Sequence, residues 1–386
     1  MKQYKNILID VLNSAESKDY KGYSKFDALN SPFLRKISFN NKWLKFLFIQ
    51  LVKESPFHIR PLLKIETSRN PKGIALFARS YFFLYEKTKI PEFLKKGENL
   101  LQWLLDNPSP DNKNLCWGYN FIWQNTIFLQ DEFEPNVVVT IFVGEALIHA
   151  FRLTGNPKYL KAAISIANFI IIDLPVLYEN QNERAISYVK KHVEAIVLNN
   201  QVLAGAFLIK VWKHSGIESF KHFAIKHINY TVNRKTDYNA WFYTYPKEKS
   251  LINHDNYHTG GILDGILEYF EATSDARYMD TYWKGLEYYK NNLFELNGAP
   301  RWMNNKSFPY DIHGSAQGII TFKKASKYDE QYLNKAKIIS DWAVDNFYRQ
   351  NLKDFIYRKG IIMKWNYSLM RWCNAWMARA IGELIY

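Results

Sequence analysis

The sequence predicts an all-α fold, a closed toroid of six helical hairpins of the (α/α)6 type. Three observations predict it: six strongly apolar segments rich in small residues, an amphipathic segment paired with each, and long polar-aromatic loops leading into the apolar ones.

The apolar segments begin near Pro71, Asn136, Asn199, Asn256, Asp311 and Met370, about 55 to 65 residues apart, which is one hairpin plus a loop. A helix without a polar face has to be buried, so these six form an inner ring. Gly73, Gly144, Gly205, Gly261, Gly265, Gly314, Gly318 and Ala375 let neighbouring helices approach closely. The outer ring is clearest at Asn156-Pro157-Lys158-Tyr159, where Asn156 can cap and Pro157 takes the first helical position. Similar openings stand near Pro91, Gly216 to Phe220, Asp275 to Met279 and Asp329 to Leu333, and a sixth outer helix is expected over Asn41 to Val52.

No Pro/Gly/Ser-rich linker or charged tail interrupts the series, so residues 1–386 read as one domain, with 1–40 as a loop-rich N-terminal extension. Within that extension Gly22 to Pro32 is broken by Gly and Pro and reads as an ordered loop able to close a pocket.

Aromatic residues make up 17% of the chain (12 Trp, 26 Tyr, 26 Phe), more than a core of this size needs. The 51 Lys and Arg exceed the 37 Asp and Glu, a formal charge of +14 that favours nucleic acid, anionic lipid or an acidic polysaccharide as partner. The basic residues are dispersed and form no nucleic-acid motif, so nucleic acid is not expected. Val137 to Leu153 carries Glu145 and His149 and falls short of roughly 18 uninterrupted apolar residues, so no integral membrane segment is expected. The first ten residues lack a secretory signal pattern, and Cys116 and Cys373 make no disulfide framework, which together suggest a cytoplasmic protein.

Loops entering the inner helices of such a barrel lie at one end. Here they hold Trp117, Tyr119, Trp123, Tyr188, Trp241, Tyr243, Trp302 and Trp365. Flat rings beside polar groups suit sugars, whose apolar faces stack while Asn, Asp, His and Arg bond the hydroxyls. The binding candidates are Trp117, Tyr119, Asn136, Tyr188, Trp241, Asn256, Trp302, Gln317, Arg371, Trp372 and Trp376.

The inner-helix starts concentrate the chemistry. Asp255 and Asp311 form a candidate carboxylate pair for glycoside hydrolysis, although an Asp at a helix start equally serves as an N-cap. His258, His313 and Tyr257, with Arg371 to grip a carboxylate, equally suit proton abstraction beside a uronate, the chemistry of a lyase or epimerase. His254 and His258 are spaced like metal ligands, but the Glu of a His-Glu-x-x-His motif and a paired Cys motif are both missing, so neither metal nor other cofactor is expected. Glu66 to Gly73, ahead of the first inner helix, reads as a solvated loop.

Taken in order, Gly22 to Pro32, Asn70-Pro71-Lys72-Gly73, Cys116-Trp117-Gly118-Tyr119-Asn120, Pro135 to Val138, Asp255 to Gly260, Asp311-Ile312-His313 and Met370-Arg371-Trp372 with Ala375-Trp376 resemble the bacterial VpsJ-like proteins. These are associated with capsule, exopolysaccharide and O-antigen gene clusters. The resemblance implies a six-hairpin toroid and a part in surface-polysaccharide biosynthesis or modification, without assigning a reaction. Ser24 stands where an acidic residue is expected in that pattern, leaving Asp27 as the acid of the loop. More distantly, the architecture is similar to unsaturated glucuronyl hydrolases, sugar 2-epimerases and polysaccharide lyases. The expected function is therefore that of a glycan-active protein, first a hydrolase of an acidic oligo- or polysaccharide, alternatively a uronate lyase or epimerase, or a non-catalytic glycan-binding factor.

Overall fold

Side-chain caps start most of the inner helices. Asn70 accepts from the Gly73 backbone N–H, Asn136 from Val139, Asp255 from His258 and Asp311 from His313, each holding N–H groups that the helix itself leaves free. The computed structural model describes residues 1–386. In chain order it forms α1 (Lys2–Glu16), α2 (Pro32–Ile37), α3 (Lys42–Glu54), α4 (Pro71–Thr88), α5 (Pro91–Asp106), α6 (Val137–Thr154) and α7 (Pro157–Asn168). These are followed by α8 (Leu198–Ser215), α9 (Glu218–Val232), α10 (Asn256–Thr273), α11 (Met279–Asn292), α12 (Ile312–Ala325) and α13 (Gln331–Phe347). A π-helical turn, Met370–Ala375, leads into α14 (Trp376–Ile385).

The even-numbered helices from α4 to α14 are the inner ring. Each packs on the next, and α14 returns to α4, so the ring is closed. Turns from inner to outer helices are short: Gly155, at φ 67°, ends α6 in the left-handed conformation, and Asn156 then caps α7. The return loops are long and carry only short antiparallel pairings, among them Arg358–Lys359 between Tyr310–Asp311 and Lys364–Trp365. All of them reach the N-terminal end of the inner ring. A continuous core of 97 buried apolar residues runs through both rings, so they do not separate into independently packed halves.

Two expectations need correction. The sixth outer helix is α1, whose buried face of Tyr4, Ile7, Leu8, Val11, Leu12 and Ala15 recurs every three or four residues and packs on α14. Residues 1–40 are therefore not merely loop-rich. The Asn41 to Val52 segment does become a helix, α3, but only Ile49 and Val52 on it are buried. It lies across the loop end, against the 3-10 turn Asp27–Asn30 and the strand Trp123–Gln124.

The inner-ring glycines are not all alike. A Cβ on Gly265 would collide with the Val202 side chain of α8, so close approach requires glycine there. Gly261, one turn earlier, faces open space. Helix α6 is long and apolar enough to cross a membrane by length and composition, but it is a buried wall of the ring, between α4 and α8.

Candidate functional site

Inner-helix periodicity carries side chains down the bore of the toroid. On α10 the sequence Tyr257, His258, Gly261, Asp264, Glu268 descends at spacings of one to four residues along one face; on α12 His313, Gln317, Ile320 and Lys324 do the same. With Lys72 and Arg79 of α4, Phe142 and Glu145 of α6, Asn199 of α8, and Arg371, Trp372, Trp376 and Arg379, they enclose a cavity of about 170 Å3.

Its floor is a belt of ion pairs. Lys210 bridges Glu145 (2.7 Å) and Glu268 (2.8 Å), Lys324 bridges Glu268 (2.6 Å) and Asp264 (3.5 Å), and Arg79 meets Glu145 at 3.5 Å. Burial opposes ionisation of Glu268, but Lys210 and Lys324 overcome it and hold that carboxyl well below its ordinary range. The same belt lines a second cavity of about 450 Å3 at the far end, so it divides the bore in two.

The upper pocket holds the groups able to do chemistry. Asp255 accepts from the His258 backbone N–H (2.8 Å) and its other oxygen lies 2.5 Å from His258 Nδ1, so the cap also orients the imidazole. Tyr257 stacks on His313 with ring centroids 4.6 Å apart and an interplanar angle of 8°, and Trp372 and Trp376 enclose the other sides of the imidazole at 4.4 and 4.2 Å. Both His313 ring nitrogens are buried without a partner. Burial first, then Lys72, Lys25 and Arg371, push its pKa well below the ordinary value, so the imidazole is neutral. Burial, helped by Asp255 and Asp311, raises the Tyr257 phenol, which remains protonated.

Lys72 and Arg371 are the unusual pair. The Lys72 ammonium sits 3.9 Å from the Phe142 ring centroid and 5.1 Å from that of Trp376; no carboxylate bears on it, and Arg371 is the charged group that does. Burial first, then Arg371, lowers its pKa well below 10.5. The Arg371 guanidinium lies over Tyr119 and Trp372, its Nε is buried without a partner, and burial lowers its pKa as well. Two buried basic groups thus face the same pocket, neither in an ion pair; the Asp27 carboxylate acts on Arg371 only from a distance.

Of the sequence candidates, His258, His313, Tyr257, Tyr119, Tyr188, Gln317, Arg371, Trp372 and Trp376 line the pocket. The Asp255 and Asp311 pair is not available as hydrolytic acid and base. Asp255 spends both oxygens on His258. Asp311 is buried, each oxygen accepting twice: one from His313 N (3.0 Å) and Trp372 Nε1 (2.7 Å), the other from Arg358 Nε (3.0 Å) and Lys25 Nζ (3.4 Å). Burial opposes its ionisation, but Lys25 and Arg358 hold the carboxyl below its ordinary range, so it stays an anion that gathers side chains.

Several aromatic and amide candidates are structural. Trp117 donates to Leu104 O and Trp241 to Thr231 O, each at 3.0 Å and almost fully buried. Asn136 caps α6, and Asn256 ties Tyr289 to Leu293 O. Trp302 packs against Arg358 and Lys25 outside the pocket. Asp27 is closed off by Arg60 at 2.8 Å, while its neighbour Phe26 does reach the pocket. Glu66 is exposed away from it.

Sequence reasoning missed Lys72 and Asp264. Lys72 sits in the first turn of α4, where the helix dipole disfavours a cation, and that mismatch was a readable signal. Asp264 lies mid-helix in an apolar stretch; burial raises its pKa, Gln317 holds one oxygen at 2.9 Å, and the other has no hydrogen-bond partner.

No protein-family model and no curated protein matches the chain. Solved structures do. A cellobiose 2-epimerase from Bacillus thermoamylovorans superimposes with TM-score 0.65 at 13% identity, over 83% of this chain and 89% of that one. A GH76 α-mannanase from Bacteroides thetaiotaomicron gives 0.63 at 15% identity over 83% and 86%. An unsaturated glucuronyl hydrolase from Streptococcus agalactiae gives 0.63 at 12% identity over 100% and 90%. At such identities the likeness is one of architecture, and with the closed double ring it makes this chain an (α/α)6 toroid.

Proposed function

We propose that this chain is a carbohydrate-active enzyme for an acidic glycan, which seats a sugar carboxylate between Lys72 and Arg371 and moves a proton through His258. The carrying observation is the pair of buried basic groups without an ion-pair partner beside an Asp-oriented histidine. With the Asp255 carboxylate accepting from Nδ1–H, the pocket-lining His258 keeps its Nε2 lone pair free and can take the proton from the carbon next to a uronate carboxylate. The electron pair of that C–H bond passes into the carboxylate, and the two cations stabilise the extra negative charge. Return of a proton to the opposite face inverts the centre; expulsion of the adjacent glycosidic oxygen, which leaves with a proton, gives an unsaturated sugar. Both outcomes share the first step, and both differ from hydrolysis by Asp255 and Asp311. Neighbours named for sugar epimerisation and for unsaturated glucuronyl hydrolysis support a sugar ligand, and the VpsJ-like resemblance supports a surface polysaccharide as its source.

The test uses matched oligosaccharides with and without a uronate. Incubation in D2O should wash deuterium into the carbon beside the carboxylate, read by NMR. Elimination leaves that carbon without hydrogen and is read instead as an unsaturated product; cleavage to a saturated product without exchange would refute the proton-transfer chemistry, and binding with neither would make the site a glycan-holding one. Arg371→Lys keeps the charge but loses the bidentate fork, so affinity for the acidic ligand should fall about tenfold. Equal affinity for both ligands and no salt dependence would remove the anionic-substrate reading.

Gly261 offers a steric check on the same cavity. Because its missing Cβ faces open space, Gly261→Leu should fill the upper pocket and lower ligand affinity by about 10- to 100-fold. Thermal stability should hold or rise, since glycine in a helix interior costs about 1 kcal/mol relative to alanine. A variant that binds normally would show that the ligand sits elsewhere.

A further inference from the structure

Helix α3 leaves an apolar face uncovered at the pocket end. Trp43, Leu47 and Leu51, four residues apart, stand outward, Trp43 at 64% exposure, and Phe39, Phe57 and Leu62 (83%) extend the patch on either side. The hairpin tip Ile361-Ile362 adds to it, with Ile362 98% exposed; the hairpin is tied to the end of α3 by Trp365 Nε1 donating to Glu54 O at 3.1 Å. At the opposite end of the toroid the exposed large apolar residues in the short turns, such as Ile90 and Ile217, stand singly.

Charge accompanies the apolar face. Residues 32–64 carry seven basic side chains against Glu54 alone. Lys53 pairs with Glu54 and Arg60 with Asp27, whereas Arg35, Lys36, Lys42, Lys45 and Lys64 form no ion pair. Lys359 and Lys364 flank the hairpin tip. Exposed Trp, Phe and Leu interleaved with unpaired Lys and Arg is the pattern of a surface that lies in a lipid interface, apolar groups among acyl chains and cations among anionic headgroups. A second copy of this chain fits poorly, because a self-complementary contact would press these cations against their own copies.

We infer that the α2–α3 cap, with the Ile361-Ile362 tip, is a docking surface for a membrane bearing anionic lipid. The inference does not depend on the reaction assigned to the pocket. The buried side of the cap packs on Phe26 and Trp123, both lining the pocket, so docking holds the pocket mouth beside the lipid surface.

Co-sedimentation of the full chain with vesicles decides it. Vesicles containing phosphatidylglycerol should bind at least about tenfold more tightly than pure phosphatidylcholine, and high salt should weaken that binding. Trp43→Ser/Leu47→Ser/Leu51→Ser should lower anionic-vesicle binding at least about tenfold with thermal unfolding unchanged. Lys36→Glu/Lys64→Glu, on exposed side chains, provides a second reading should the triple variant unfold, with the same expected loss. No binding to anionic vesicles, equal binding to both kinds, or normal binding by folded cap variants overturns the inference. So does a dimer in light scattering that the cap substitutions convert to monomer.

Discussion

Replacing His258 with glutamine is expected to lower turnover of an acidic oligosaccharide by about 10²- to 10⁴-fold, while affinity stays within about threefold. In the proposed site affinity comes from Lys72, Arg371 and the surrounding rings, all of which line the pocket and none of which the substitution removes. Glutamine keeps much of the contact with Tyr243, whose ring centroid is 4.2 Å from that of the imidazole, but it cannot accept a proton. Asp255→Asn sharpens the interpretation: asparagine caps a helix about as well as aspartate, so α10 should remain as stable, yet the neutral side chain no longer supports the tautomer with Nε2 free. Turnover should therefore fall at least about tenfold in a protein that melts normally. Deuterium exchange that survives in both variants would transfer the role of base to another group, with His313 first in line because both its nitrogens are unpartnered.

The ring was legible because its signals are local. Asn156-Pro157 ahead of Lys158-Tyr159 and Asn70-Pro71 ahead of Lys72-Gly73 announce helix starts in four residues, and both start where expected. Helix α1 was missed for the complementary reason: Met1 offers no side-chain cap, and its buried face shows only against α14, more than 350 residues later in the chain. Helix α3 misled because it is the more apolar of the two, and hydrophobicity alone does not say that Trp43, Leu47 and Leu51 face outward.

Within the site, the two aspartates show where one-dimensional reasoning stops. Their positions at helix starts allowed either capping or catalysis, and both cap. What removes Asp311 from the hydrolytic pair is the arrival of Lys25, 286 residues earlier, and of Arg358, 47 residues later. Such pairings arise only when the ring closes. The same closure buries Lys72, which the sequence presents as part of a solvated loop.

Replacing Lys72 with methionine is expected to stabilise the unliganded protein by about 1 to 3 kcal/mol near neutral pH, because methionine fills similar space without burying an unpaired amine or its charge. The gain should depend on pH in a definite direction. In the unfolded chain Lys72 holds its proton up to an ordinary pKa of 10.5; in the fold, burial and then Arg371 lower that value. Between the lowered and the ordinary pKa the unfolded state binds more protons, so wild-type stability rises with pH, by at most about 1.4 kcal/mol per unit from this group. Below the folded pKa both states are protonated and the full cost of the buried charge is present. The methionine variant lacks this contribution, so its advantage should be largest below the folded pKa and shrink as pH approaches 10.5. Ligand reverses the ranking: an acidic sugar supplies the missing counter-ion to Lys72 but gains nothing from methionine, so saturating ligand should raise the melting temperature of the wild type far more than that of the variant. Affinity should fall at least about tenfold. A variant less stable than wild type by the same amount at every pH would mean that Lys72 already has a partner in the fold, and the anion-seating role would fall with it.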